Sequence, residues 1–349
     1  MANVVGQSIS SDPETGVAIP ENGPTESQNG WAGIYSVIAE ELTQVELTIS
    51  SEMRSTAPEV ELLLSHSRGL GGKRLRPALL LLAGKAVGTL SQSHVFAAAA
   101  LEMIHLATLI HDDVLDDAKT RRHQKTVHAK FGTRPGVLLG DYLFTHSFSV
   151  GSKSESIEAV KMLAQASNLV CEGEIKQNAW QSDFTIDEAA YLQMVSEKTG
   201  ELCAAGCGIG AAISGANVEK TEAFKSFGRD LGVAFQIIDD VLDLVGDAKT
   251  VGKTLGTDLQ NRKVTLPVIH ALSTLEGDAR ELLLSNLNAD VVSVEKVVAI
   301  LNENGSIEYA RGVAKSVAER AVSFAAELLD NAAARSLVAV GAMVLKRAF

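Results

Sequence analysis

Asp112, Asp113 and Asp116 stand together in the run Leu109-Ile-His-Asp-Asp-Val-Leu-Asp-Asp117, and Asp239, Asp240 and Asp243 in Phe235-Gln-Ile-Ile-Asp-Asp-Val-Leu-Asp243. On a helix, carboxylates four residues apart share one face. Like charges so placed repel each other, and a helix C-terminus is the unfavourable end for anions. A single cluster reads equally as a solvated acidic helix end. Two of them, each embedded in apolar sequence with Gln236 and Asp247 on the face of the second, ask for a cation. Hard oxygen donors in pairs suit Mg²⁺, which keeps several waters and bridges protein carboxylates to phosphate oxygens.

Cations for such phosphates are present. Gly71-Gly-Lys-Arg-Leu-Arg-Pro77 gathers Lys73, Arg74 and Arg76 in a glycine-led turn. Arg121 and Arg122 follow the first aspartates, Lys198 stands in Glu-Lys-Thr-Gly200, and Lys253 in Gly252-Lys-Thr254. Arg offers phosphate a planar fork and Lys a point charge. Taken singly, each reads as an ordinary surface residue. The GxxxxGK[ST] spacing is absent around Lys253, which excludes a P-loop.

These groups need a scaffold. The 349 residues are 46% hydrophobic and 21% charged, the composition of a folded globular protein. With 31 basic against 43 acidic residues the net charge is −12, which argues against a general binder of nucleic acid or anionic membranes and makes any anion site local. Residues 1–30 lack Lys, Arg, His and aromatics and are dense in Ser, Gly, Pro, Asn and Glu, predicting a disordered tail. The first basic residue is Arg54, so neither a secretory signal nor a transit peptide is expected. No apolar run is seen to reach the ~20 residues of a bilayer span. Cys171, Cys203 and Cys207 are too few for a disulfide framework, the last two reading as core at i,i+4, and a soluble, reducing, cytoplasmic setting is expected.

From Trp31 onward the apolar residues follow a helical period, no strand alternation is sustained, and proline is scarce after Pro77. Helices are predicted over 31–51, 57–67, 77–88, 93–117, 136–150, 154–180, 186–199, 201–214, 219–246, 263–274, 292–303 and 306–330, with a last one to about 347. Thr185-Ile-Asp-Glu188 has capping-box spacing, and Ser293 precedes an apolar run. The expected fold is all-α, one domain over 31–349 of about a dozen mostly antiparallel helices.

In order, GGKRLRP, HDDVLDDAKTRR, GDYL, EKTGEL, FQIIDDVLDLVGD and GKTLGTDLQNRKVTLP resemble the motifs of trans-isoprenyl diphosphate synthases, in particular the long-chain polyprenyl branch, across about residues 31–349. The resemblance implies a deep central cavity between the helices, a homodimer, and condensation of isopentenyl diphosphate with an allylic diphosphate. It implies that Asp112, Asp113, Asp116, Asp239, Asp240 and Asp243 hold up to three Mg²⁺ per subunit on the allylic diphosphate, with Asp112, Asp116, Asp239 and Asp243 as the metal ligands. Arg121, Lys198 and Lys253 would hold that diphosphate directly, with Gln236 nearby. Isopentenyl diphosphate would sit among Lys73, Arg76, His105 and Arg122, with Arg74 at the edge. The carbonyls of Lys198 and Thr199, at a break in a helix, and the Gln236 amide would steady an allylic carbocation.

The resemblance also implies that the product tail runs along the helix before Asp112. Ala107 and Thr108 stand where short-chain members carry aromatic blocks. Ile104 follows, and Leu101 lies ~16 Å from Asp112 at 1.5 Å per residue. This open floor leads us to expect about eight to ten isoprene units. His123 departs from the family, which usually has Gly there. A shorter-chain synthase is the nearest alternative. A class I terpene cyclase shares the first aspartate motif but usually lacks the second and the isopentenyl pocket, and a non-catalytic partner subunit typically loses one motif.

Overall fold

The computed structural model describes residues 26–70, 72–246, 255–328 and 331–346. Residues 1–25, Asp247 and Lys253 lie outside the described residues. The first helix, α1 (Glu26–Tyr35), begins upstream of Trp31, and a 3₁₀ turn at Ser36–Ile38 separates it from α2 (Ala39–Glu52). Then come α3 (Pro58–Ser67), α4 (Leu75–Val87) and α5 (Gln92–Leu115). A hairpin of two-residue strands, β1 (Thr120–Arg121) and β2 (Gln124–Lys125), interrupts the helices and was not foreseen. After it come α6 (Val127–Phe131), α7 (Thr133–Ser152), α8 (Ile157–Ala179), α9 (Glu188–Val195), α10 (Glu201–Ile213) and α11 (Val218–Val245). The chain closes with α12 (Thr257–Gln260), α13 (Leu266–Thr274), α14 (Gly277–Leu287), α15 (Val294–Glu303), α16 (Ser306–Leu328) and α17 (Ala332–Lys346).

The fold is all-α as expected, with α5, α10 and α11 at its centre, packed by α4, α7 and α16. Leu101, Ile104 and Ala107 of α5, Cys203 and Cys207 of α10, and Phe224, Phe227 and Leu231 of α11 are buried. Helix α5 is long and apolar enough to cross a membrane by length and mean composition, although polar residues interrupt its apolar run. Its apolar face is instead spent on neighbouring helices, with 72% of its most apolar window buried.

Several helix starts differ from the pattern for local reasons. Pro267 sits in the first turn of α13, where its missing N–H costs nothing, so this helix starts at Leu266 and leaves Lys263 in the preceding loop. Asp187, not Thr185, caps α9 by accepting the Ala190 N–H at 2.8 Å. Thr185 is occupied with Asp183, at 2.6 Å. Helix α14 was missed because its apolar face is thin, with only Leu283 and Leu287 buried.

Candidate active site

The two aspartate clusters sit at the C-terminal parts of α5 and α11, and Lys263 and Asp258 together link them. Lys263 Nζ lies 3.0 Å from the Asp116 carboxylate and 3.8 Å from Asp258. The backbone N–H of Asp258 in turn donates to Asp243 at 3.0 Å. Burial works against the Lys263 ammonium, but the Asp258 and Asp116 carboxylates outweigh it and hold its pKa raised. Asp113 is buried and gripped by Arg121, whose Nε donates at 2.9 and 3.1 Å. Lys198 Nζ lies 2.7 Å from Glu174 and donates to Gln177 at 2.8 Å. Asp112 is held up at about 6 by burial, with Glu174 and Asp116 adding to the shift and Lys198 and Arg121 opposing it.

Lys198 and Thr199 lie in a single π-helical turn, Ser196–Gly200, closed by the Glu201 N–H on the Ser196 carbonyl. This is the expected break between α9 and α10. Glycine makes it possible: a Cβ on Gly232 of α11 would come within 2.8 Å of Gly200 Cα and 3.1 Å of the Thr199 carbonyl oxygen. A bonded chain leads from the turn into the second cluster. Thr199 Oγ1 donates to Gln236 Oε1 at 2.9 Å, Gln236 Nε2 to Asp240 Oδ1 at 2.8 Å, and the buried Tyr191 hydroxyl to Asp240 Oδ2 at 2.7 Å. Both ends of the Gln236 amide are therefore engaged, leaving its oxygen one lone pair for a cation. Asp240 is pushed up to about 7 by burial and by Asp258, against the two hydrogen bonds it receives.

His105 is half-buried amid arginines. Burial, then Arg76, Arg121, Arg122 and Arg74, hold its pKa well below the ordinary imidazole value. Arg76 Nε is buried without a hydrogen-bond partner, a donor that an anion would satisfy. Arg122 Nη1 donates to the Leu70 carbonyl at 3.0 Å. Its guanidinium lies so close over Gly72 that any side chain there would overlap it. Arg74 is committed elsewhere, paired with Glu46 and, at 2.9 Å, with the buried Glu102. Arg122 and His123 form the two-residue turn of the hairpin, with φ of 49° and 64°. That is the primed turn in which Gly is favoured, so His123 keeps the turn that Gly would make.

Along α5, Ala107, Ile104 and Leu101 are wholly buried, and Thr108 is half-buried with Oγ1 donating to the His105 carbonyl at 2.8 Å. Leu101 is seated on Gly206 of α10, where a Cβ would meet its Cδ2 at 2.9 Å. These positions therefore sit within the packed interface of α5 and its neighbours. A recess of about 50 Å³ lies between α2, Ser67, Arg68 and Arg74, and the side of α5 that carries Glu102, Met103 and Leu106.

The donors fit a hard divalent ion. They are carboxylates alone, on two helices linked through Lys263 and Asp258, with Asp112 raised by burial and like charge. Among the described residues no three His, Cys, Asp or Glu side chains already converge on one point, because Lys263 and Arg121 stand among the carboxylates. Lys263, Asp258, Glu174 and Tyr191 had no role assigned from sequence. The first two fall inside the quoted motif GKTLGTDLQNRKVTLP, which was the available signal; Glu174 and Tyr191 carried none.

Acidic helix ends linked through Lys263 and Asp258, beside a nest of arginines, define a helical protein suited to holding diphosphates. Residues 57–304 match the polyprenyl synthetase family model, and the chain belongs to that family. It is 31% identical over 316 residues to octaprenyl diphosphate synthase of Escherichia coli (strain K12), covering 90% of this chain and 98% of the relative. It is 37% identical over 285 residues to geranylgeranyl diphosphate synthase of Methanosarcina mazei, covering 79% and 86%. Decaprenyl diphosphate synthase of Rhodobacter capsulatus superposes with a TM-score of 0.86 at 32% identity, covering 91% of this chain and 99% of that one. Polyprenyl synthase of Caulobacter crescentus, complexed with calcium and isoprenyl diphosphate, does so at 0.83 with 30% identity, covering 92% and 97%.

Proposed function

We propose that this chain is a trans-prenyltransferase that condenses isopentenyl diphosphate with an allylic diphosphate, repeatedly, to a long-chain polyprenyl diphosphate. The observation that carries this is the linkage of the two aspartate clusters through Lys263 and Asp258 beside the arginine nest around His105. Asp112, Asp116, Asp239 and Asp243 would hold Mg²⁺, which when bound supplies positive charge for the departing diphosphate. Lys198, Lys263 and Arg121 bind the allylic diphosphate and stabilise its charge as the C–O bond breaks. Lys73, Arg76, Arg122 and His105 hold the second diphosphate so that the isopentenyl double bond meets the carbocation. The free lone pair of Gln236 and the π-turn carbonyls of Lys198 and Thr199 stabilise that cation, and packed helices keep water away from it. A proton is then lost from the new chain, with the released diphosphate as acceptor.

Long-chain relatives and the small residues at Ala107 and Thr108 support a product of about eight to ten units, while the Methanosarcina mazei relative favours a shorter one. Leu115, Val137 and Leu138, exposed where Gly136 of α7 packs on Val114 of α5, support a homodimer, and the unpaired Cys171, Cys203 and Cys207 suit a cytoplasmic enzyme. Incubation with Mg²⁺, labelled isopentenyl diphosphate and farnesyl diphosphate, followed by chain-length chromatography, is expected to give long polyprenyl products. Absence of any condensation would refute the reading, and products that stop at three or four units would refute the long-chain part alone.

A further inference from the structure

Helix α1 lies outside the stretch that matches the family, which begins at residue 57, yet it packs beside the turn that carries Lys73, Arg74 and Arg76. Trp31 and Tyr35 stand four apart on one face of α1, with ring centroids 5.5 Å apart. Trp31 is only 8% exposed, and Lys73 Nζ lies 5.7 Å from its ring centroid, within reach of a cation–π contact. The Tyr35 hydroxyl is buried with no hydrogen-bond partner. Burial and the nearby Glu102 carboxylate both raise its pKa, and Glu102 is the group that holds Arg74. Gly30 on the same helix rests against Met343 of α17, where a Cβ would meet its Cε at 3.3 Å, so α1 is anchored to the body of the protein.

We infer that α1 completes the isopentenyl diphosphate site, with Trp31 acting as a positioning residue for Lys73. A lysine on its flexible stem loses rotamer freedom when it clamps a phosphate. An indole face under the ammonium restricts the stem beforehand, which lowers the cost of binding. The inference rests on the proposed function, since it takes the arginine nest as the isopentenyl diphosphate pocket.

The test is steady-state kinetics of the full-length enzyme with Mg²⁺, varying each substrate at saturating concentration of the other. Trp31→Ala is expected to raise KM for isopentenyl diphosphate by about two- to fivefold, and Trp31→Phe by less, with KM for the allylic substrate unmoved. A merely structural role would move both KM values together and lower the melting temperature of Trp31→Ala, while Trp31→Phe, which keeps a ring, would restore both. An unchanged KM for isopentenyl diphosphate, or equal changes for the two substrates, overturns the inference. A second readout does not need turnover. In a Trp180→Phe background Trp31 is the sole tryptophan, and its emission should respond saturably to isopentenyl diphosphate in EDTA and lose that response on Lys73→Met. A wild-type enzyme without condensation activity would overturn the proposed function, while a saturable, Lys73-dependent response would still uphold the contact between Trp31 and the anion site.

Discussion

Lys263→Met removes the charge held between Asp116 and Asp258 while keeping most of the side chain's volume. Breaking a fully buried ion pair costs about 3–5 kcal/mol, chiefly because the remaining charge is left without a partner. Here the lysine side chain is 12% exposed but Asp116 is 31% and Asp258 26% exposed, so solvent screening cuts the loss to about 1–3 kcal/mol. At roughly 2 °C per kcal/mol for a chain of this size, the variant should melt about 2–6 °C below wild type in EDTA. Its carboxylates then lack their internal cation, so added Mg²⁺ should raise its melting temperature more than that of wild type. Turnover should fall by ~10²–10³, the usual effect of removing one group aimed at developing charge. Differential scanning fluorimetry with and without Mg²⁺, alongside initial-rate assays, measures all three. A variant that melts with wild type in EDTA, or gains no more from Mg²⁺ than wild type does, would show that Lys263 does not compensate the clusters.

Three further perturbations follow from local geometry. Thr108→Phe, at a half-buried position, should shorten the product with little loss of initial rate, whereas Ala107→Phe must also open a sealed core at about 1–3 kcal/mol; chromatography that finds full-length product from Thr108→Phe refutes the tail's path. His123→Gly should stabilise by about 1 kcal/mol by relieving a left-handed backbone at φ 64°, and a drop in melting temperature would refute the strain. His94 is buried, accepts the Ser91 N–H at Nδ1 and faces Gly210 and Ser214 with Nε2, and burial lowers its pKa against those backbone bonds. Its neutral form stabilises the fold fully above the unfolded pKa of ~6.5, and stability falls as pH drops below that by at most about 1.4 kcal/mol per unit; thermal melts from pH 8 to 5 should be flatter for His94→Gln.

The fold class and the anionic chemistry were readable because they rest on periodicity and on residue type. Apolar spacing gave α5, α10 and α11 to within a residue or two, and Pro267 could have moved the start of α13, since a proline there marks a first turn. The helices α6, α12 and α14 and the hairpin escaped because they are short or thinly apolar, and packing rather than propensity sustains them. At the site, spacing singled out the aspartates, whereas Arg121 and Lys198 stood out only through resemblance to the family's motifs. Lys263 and Asp258 were not legible, because their role depends on the loop from α11 to α13 folding back onto α5, a juxtaposition no local pattern encodes.

The cations of this site are held on carboxylates before any substrate arrives. Lys198 rests on Glu174, Arg121 on Asp113, and Lys263 between Asp116 and Asp258. An acidic cluster left bare would strain the fold, and a bare basic cluster would be desolvated without return, so mutual pairing lets both coexist in a packed helical core. The same pairing sets the condition for reaction. A diphosphate alone would have to pull these cations from their carboxylates and leave the carboxylates facing its own negative charge. Arriving together with divalent ions, it would exchange partners: the carboxylates would take the metal and the lysines and arginine would turn to phosphate oxygens, leaving no charge unpaired. On this reasoning, affinity for the allylic diphosphate should be coupled to Mg²⁺ concentration, while binding around His105 and Arg76, where no carboxylate has to be displaced from the orphan Arg76 Nε, should depend on it far less.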